Sequence, residues 1–489
     1  MARASLSRPV ALAIEDGLIN SDTTVFDYGC GRGGDVARLS AQGISVAGWD
    51  PIHRPEAPRT IAHVVNLGFV VNVIEDPVAR RHALETAWSL AERVLVVAAR
   101  LDWDIAPGGA YHGDGVLTAK GTFQKFYRQE ELREWVDGVL QQRSVAAAPG
   151  ILYVFRDTTL AQRYLLGRVR QPVVLADTQR TRRTRLRLHT LETNRQYLDP
   201  VVTFLEQRGR LPEGGEIEGA ADLGQRFGSL RAALALAERV ADETAWRTAR
   251  ARATDDLLVY LALTAFGGRP KLGDLPADTQ LDVRAFFGSF RTGCETADSL
   301  LRSAGDVVQR TRACAETSIG KITPEALYVH VSALPKLSTL LRVYERCARA
   351  LTGTVADATV VKLHRAEPKV SYLLYPTFDT DPHPALFASI RAHLQNLDVR
   401  YRDFRTSSNP PVLHRKETFV ASDYPRRATF ARLTNQELRH GLLADPSGIG
   451  TRNAWRARVK AAGFRLAGHR LLRTADKTDA TVPHVAMRD

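Results

Sequence analysis

The sequence predicts an N-terminal α/β domain built on a mostly parallel sheet, followed by a longer basic region that is first mostly helical and then α+β. Three observations predict it. Short apolar strands alternate with helical stretches through residues 1–160, the pattern of a sheet wrapped by crossover helices. A run of glycines follows the first strand directly. The charge is divided: residues 1–157 hold 16 Lys and Arg against 19 Asp and Glu, whereas the remainder holds 51 against 35. A chain of 489 residues exceeds what one core usually organises, so we expect three segments, 1–160, 161–320 and 321–489.

The elements read as follows. Ser7-Arg8-Pro9 opens a short helix, with Ser7 as its cap and Gly17 as its end. Residues 24–28 form a buried strand, and a helix starts near Asp35. Val46 to Asp50 and Val64 to Leu67 are the next strands. Leu84, Ala87, Trp88 and Ala91 make an amphipathic stripe, and Val94 to Ala98 is another buried strand. Ser144–Ala148 and Leu152–Phe155, parted by Pro149-Gly150, pair as an antiparallel ending. Ala-, Leu- and Arg-rich helices follow, such as Ser229 to Ala241 and Asp255 to Leu263. From about residue 321 the pattern changes, with strands at Ala358–Leu363 and Val370–Leu374 and then helical stretches to the end.

No apolar run approaches the roughly 20 residues that span a bilayer. Glu15 and Asp16 interrupt the N-terminal stretch where a secretory signal needs apolar residues, so a cytoplasmic location is expected. Cys30, Cys294, Cys314 and Cys347 are widely spaced, and neither a disulfide framework nor a metal site is expected.

The stretch Val25-Phe-Asp-Tyr-Gly-Cys-Gly-Arg-Gly-Gly-Asp35 carries the chemistry. Glycines between a strand and a helix let backbone N–H groups approach a ligand. Gly29, Gly31 and Gly34 satisfy GxGxxG, so a dinucleotide is one reading and a ligand-free turn another. Two details favour S-adenosylmethionine. Asp27 stands at the strand end, placed to receive the ligand's ammonium, and Gly33 completes Asp-x-Gly-x-Gly-x-Gly, which suits a ligand lacking a pyrophosphate. Asp50, ending the next strand, is placed for ribose hydroxyls. This is the pattern of a Rossmann-like class I methyltransferase domain.

The segments FDYGCGRGGDV, GWDPIHRPEAP, VVNLGFVVNVIEDP and GTFQKFYRQEELREW together resemble the methyltransferase family associated with DNA phosphorothioation. The resemblance continues through DDLLVYLALTAFGGRPKLGDLP, ALYVHVSALPKLSTLLRVYE and KLHRAEPKVSYLLYPTFDTDPHPAL, and so covers most of the chain. It implies a neighbourhood of DNA backbone sulfur modification and restriction, with DNA and other proteins of that system as partners. One departure stands out. Only residues 51–62 separate Asp50 from the next strand, and Pro51, Pro55 and Pro58 lie among them, too little for a full crossover. The third-strand region is therefore shortened or missing, and a decayed fold serving only to bind DNA is an alternative.

Methyl transfer needs an acceptor held in line with its lone pair exposed. Asn66-Leu-Gly-Phe69 has the polar and aromatic ends of the Asn/Asp-Pro-Pro-aromatic tetrad that DNA amino-methyltransferases use, without its prolines. Asn66 is the candidate acceptor-polarising group and Phe69 a stacking platform, with a loop cap and a core residue as the plainer readings. Asn72, with Glu75, resembles the helix-opening segment of small-molecule methyltransferases, which keeps an RNA, protein or small-molecule acceptor open. Phe123 and Tyr127 are candidates to stack on a base, with Lys125 on a phosphate; packing of the two rings into the protein is the plainer reading. Further phosphate contacts are expected from Arg182, Arg183 and Arg185 in the arginine-rich stretch 163–187, and from Arg456 and Lys460, an i, i+4 pair.

Overall fold

The computed structural model describes residues 5–105, 109–170, 195–213, 215–445 and 447–474. Contacts divide the chain into two compact units, Met1–Arg310 with Ser338–Thr354, and Thr311–Leu337 with Val355–Asp489. The helical segment therefore shares a unit with the N-terminal sheet.

That sheet has six strands. β1 (Thr24–Tyr28), β2 (Ser45–Trp49), β3 (Ala62–Gly68) and β4 (Ala91–Ala98) are parallel, and the hairpin β8 (Ser144–Ala148) and β9 (Ile151–Phe155) closes one edge in the order β2-β1-β3-β4-β9-β8. β5 (Ala110–His112), β6 (Gly115–Leu117) and β7 (Phe123–Gln124) make a small separate sheet between β4 and β8. The strands carry apolar side chains on both faces because helices cover both. On one face Phe26, Val65, Leu67, Leu95 and Val97 pack with Leu84 and Ala87 of α3 (Pro77–Leu90) and Leu132 and Val136 of α4 (Gln129–Leu140). On the other, Val25, Val64, Val94 and Val96 pack with Val10 and Ala13 of α1 (Arg8–Glu15), Leu39 of α2 (Gly34–Ala41) and Tyr164 of α5 (Thr158–Val169). This is a doubly wound, Rossmann-like sheet. No strand forms between residues 50 and 61, so β2 is the sheet edge, as the short proline-rich connection predicts.

Helices then run from Arg195–Arg208 to Val307–Glu316, with Glu243–Gly267 the longest, and Thr339–Thr352 packs among them. Among the described residues, no helix is long and apolar enough to cross a membrane. The second unit holds a six-stranded antiparallel sheet, β10 (Lys321–Ile322), β11 (Ala326–His330), β12 (Val360–His364), β13 (Lys369–Leu374), β14 (Ala388–His393) and β15 (Asp398–Asp403), in sequence order. Helical stretches were expected to follow Leu374 directly; instead β14 and β15 extend the sheet before the helices Arg427–Arg439 and Arg452–Ala461. β14 shows why: its burial alternates with a period of two, placing Ala388, Ile390 and Ala392 inside.

Candidate functional site

The parallel strands β1 and β3 bring two polar side chains into register. Asp27 pairs with Asn66 across the ladder, so both project from the same face near the strand ends. Asn66 Nδ2 donates to Asp27 Oδ1 at 2.8 Å. Both residues are buried, and Asn66 Oδ1 has no hydrogen-bond partner. A buried acceptor left unmatched costs about 1–3 kcal/mol unless a ligand or water supplies a donor. Pro9 of α1 closes in on the same spot, because its Cγ would lie 3.3 Å from a Cβ at Gly68. Beside Pro9, Ser7 stands at the N-cap of α1 as the sequence predicts, but its side chain makes no capping hydrogen bond. Its N–H donates to Asp35 Oδ1 at 2.9 Å, and its buried hydroxyl is a second polar group without a partner.

The glycine loop turns directly above β1. Gly29 has φ 82°, and a Cβ there would come within 2.4 Å of Val70 Cγ2, so only glycine lets the loop meet the β3 end so closely. Gly31 (φ 54°) and Gly33 (φ 77°) are also left-handed, and Gly33 starts α2. The N–H of Gly31 donates to Asp50 Oδ2 at 2.9 Å. Asp50 Oδ1 accepts from the N–H groups of Ile52 (3.0 Å) and His53 (2.9 Å), and His53 Nδ1 lies 3.1 Å away. Burial pushes this carboxyl up, but those donors outweigh it and hold Asp50 below the usual carboxylate range. Asp50 thus ties the glycine loop to the turn that replaces the third strand. The same turn delivers Arg54, whose Nη2 would be 2.4 Å from a Cβ at Gly33. Its guanidinium rests against the loop, a role that sequence reasoning missed. The signal for it was the proline-bounded stretch 51–58, which had to fold back on β2.

Phe69 has φ 61°, a conformation that costs a bulky residue on the order of 1–3 kcal/mol. It is half-buried against the core on the α1 face, and Arg100 lies over its ring at 5.2 Å. Asn72 is buried, donating to Gln124 Oε1 at 2.9 Å while its own Oδ1 lacks a partner. Glu75 instead turns outward to His112 at 2.8 Å.

The residues after β4 do not act as the sequence suggested. Phe123 and Tyr127 are core residues, not exposed stacking platforms. Lys125 stands 3.1 Å from Asp114 and 2.9 Å from Glu131, so its ammonium is matched internally. Arg80, buried at 3% exposure, grips Asp114 through Nη1 and Nη2, while Nε and the same Nη2 donate to the carbonyls of Ile74 and Glu75. The Arg80 hydrogen bond holds Asp114 down to about 2. This clamp fastens the small sheet over the start of α3.

Of the phosphate candidates, Arg182, Arg183 and Arg185 lie outside the described residues. Two arginines earlier in the same stretch are structural. Arg168 donates to the carbonyl of Ala146 at 2.9 Å, and Arg170 meets Asp282 at 3.2 Å. Arg456 and Lys460 are exposed on the helix Arg452–Ala461, whose Trp455 and Val459 face inward. Among the described residues, no carboxylate lies within 4.0 Å of either, whereas Arg458 between them is held by the carbonyl of Asp445 at 2.6 Å. Among the described residues, no group of three or more His, Cys, Asp and Glu could hold a metal ion.

No family model matches the chain, and no curated protein is similar to it. Among solved structures, the chain is similar to the 1,6-didemethyltoxoflavin-N1-methyltransferase of Burkholderia thailandensis, with 15% identity over 30% of this chain and 75% of that one and a TM-score of 0.23. It is similar to an amino pentose methyltransferase of calicheamicin biosynthesis from Micromonospora echinaspora, at 16% identity over 30% and 89%, with a TM-score of 0.24. A third is the magnesium protoporphyrin IX methyltransferase of Synechocystis, at 15% identity over 30% and 80%, with a TM-score of 0.22. The fold assignment rests on the strand order of this chain itself.

Proposed function

We propose that the N-terminal sheet binds S-adenosylmethionine and that the chain is a methyltransferase acting on DNA within a DNA phosphorothioation-linked modification or restriction system. The observation that carries the cofactor reading is the buried Asp27–Asn66 pair with its unmatched Asn66 Oδ1, set beneath a loop of left-handed glycines. An ammonium supplies the donor that Asn66 Oδ1 lacks, and the Asp27 carboxylate supplies the opposite charge. Asp27 and Asn66 would hold the amino-acid end and Gly29, Gly31 and Gly33 would let the backbone approach it. Asp50 would offer its Oδ2 edge to the ribose. The cofactor supplies an electrophilic methyl group; the chain's task is to hold the acceptor in line and keep water out. Phe69 and Asn72 stand beside the β3 end for that task, with Phe69 in a strained conformation at the site and Asn72 offering a carbonyl oxygen to an acceptor N–H.

The DNA reading is supported by the surplus of 16 positive charges beyond residue 157 and by the exposed Arg456 and Lys460. The sequence resemblance points the same way. Labelled-methyl transfer to DNA tests it. Incorporation into DNA is expected; a chain that binds the cofactor but labels only RNA, protein or small molecules would replace DNA as the substrate.

A second reading has its own observation. Arg54 rests on Gly33, and the sheet stops at β2, where a further strand would frame the adenine side. On that reading the fold is a non-catalytic DNA-binding module. Substituting Arg54→Ala separates the two: tighter S-adenosylmethionine binding marks a ligand pocket that Arg54 guards, and absence of binding in both proteins marks a decayed one.

A further inference from the structure

A sizeable concavity of the first unit lies away from the glycine loop. β8 runs parallel to β4, so its beginning, Ser144–Ala146, is at the opposite end of the sheet from the C-terminal end of β1. There the sheet, α5, the end of the helix Glu243–Gly267 and the helix Thr339–Thr352 enclose about 600 Å³. Six arginines line it: Arg133, Arg143, Arg168, Arg269, Arg346 and Arg349.

Four of these arginines have carboxylates beside them and, among the described residues, two do not. Arg346 and Arg349 share Glu345, Arg269 meets Asp298, and Arg133 is 3.9 Å from Asp137. Asp274 is the one carboxylate in the lining itself. Among the described residues, no carboxylate lies within 4.0 Å of Arg143 or Arg168; both are oriented by neutral groups. Arg143 donates to the Phe266 carbonyl at 2.7 Å, whereas Arg168 gives Nη1 to the Ala146 carbonyl (2.9 Å) and the Tyr164 hydroxyl (3.0 Å) and Nη2 to the Ala147 carbonyl and the Thr354 hydroxyl. Guanidiniums fixed by carbonyls keep their charge and lose little freedom when an anion arrives.

The lining also carries apolar side chains, Phe155, Phe266, Leu165 and Leu263, beside polar ones such as Gln162 and Thr264. Guanidiniums together with aromatic and aliphatic side chains, in a volume within the usual range of small-molecule pockets, suit a phosphate attached to a planar base. We infer that this arginine-lined cavity binds a nucleotide, with its phosphates on Arg143, in the positive field of Arg168, and its base against Phe155 and Phe266. A cavity of this size holds a single nucleotide and not a stretch of duplex.

Equilibrium titration of the full chain with ADP, inorganic pyrophosphate and adenosine tests this. ADP is expected to bind tightest, pyrophosphate to compete with it, and adenosine to bind at least tenfold more weakly. Arg143→Glu, on an exposed residue, should weaken ADP at least tenfold, and Phe266→Ala should weaken ADP but not pyrophosphate. Asp27→Ala should leave ADP binding unchanged, which separates this cavity from the glycine loop. ADP affinity that is undetectable, indifferent to Arg143→Glu, or lost in Asp27→Ala would overturn the assignment.

Discussion

The two six-stranded sheets treat their polar groups in opposite ways. The parallel sheet keeps its interior apolar and gathers polar side chains at the ends of β1 and β3, under the glycine loop, where Asp50 stays ionised. The antiparallel unit buries polar groups inside its core. His383, His414, Lys416 and Glu437 are all at most 9% exposed, and the rings of His383, His414 and Trp455 lie within 5 Å of one another. There burial dominates, pushing Glu437 up to about 7 and Lys416 down to about 7, and His383 to about 3. The difference teaches that a charged group ready for a ligand is found where strands end and backbone donors abound. A group in the middle of a core is driven towards neutrality instead.

The comparison can be broken most sharply at Asp27. Asp27→Ala should weaken S-adenosylmethionine by about 10- to 100-fold, the worth of a charge-assisted hydrogen bond. It should leave the antiparallel unit unaffected, and calorimetry beside hydrogen exchange of β11 to β15 reads both effects. Next in size is Phe69→Gly. Relief of the left-handed strain offsets part of the lost packing, so chemical denaturation should show a cost of about 1–2 kcal/mol, below the roughly 3–5 of a fully buried Phe truncation.

A smaller effect separates paired from unpaired cations. Arg456→Ala and Lys460→Ala should each lower the salt slope of DNA binding by about 0.9, whereas Lys125→Ala should not change it, because Asp114 and Glu131 already hold that ammonium. Fluorescence anisotropy across a salt series decides it.

The smallest effect concerns pH. The folded pKa of Glu437 is raised to about 7, so the protonated carboxyl's contribution to stability is fully present below the unfolded value of about 4.3 and is lost as pH rises through 7. His383, His414 and Lys416 face it and, with lowered values, act in the opposite sense. Their influence cancels when Glu437→Gln is compared with the wild type at each pH. The stability of wild type relative to Glu437→Gln should fall between about pH 4 and pH 7, and a flat difference would place the carboxylate in a solvated setting.

Much of the N-terminal sheet was legible because each parallel strand is a continuous apolar run ended by turn residues, as in residues 24–28 and 94–98. The hairpin Ser144–Phe155 was legible from Pro149-Gly150. β11, β14 and β15 were not recognised, since arginines on the outward positions of β14 and β15 mimic an exposed helix face. At the site, Asp27 and the glycines follow from local order. Ser7, Arg54 and the Arg80–Asp114 clamp do not, because each depends on a partner brought close only by folding. Lys125 and Tyr127 misled for the same reason: sequence shows a charge or a ring, while burial and pairing decide what it does.

The most direct test of the account is calorimetric titration of the full chain with S-adenosylmethionine and with NAD. The account predicts one site for S-adenosylmethionine, weakened in Asp27→Ala, and weaker or no binding of NAD at that site. Binding of NAD in preference, or S-adenosylmethionine binding indifferent to Asp27→Ala, would contradict it.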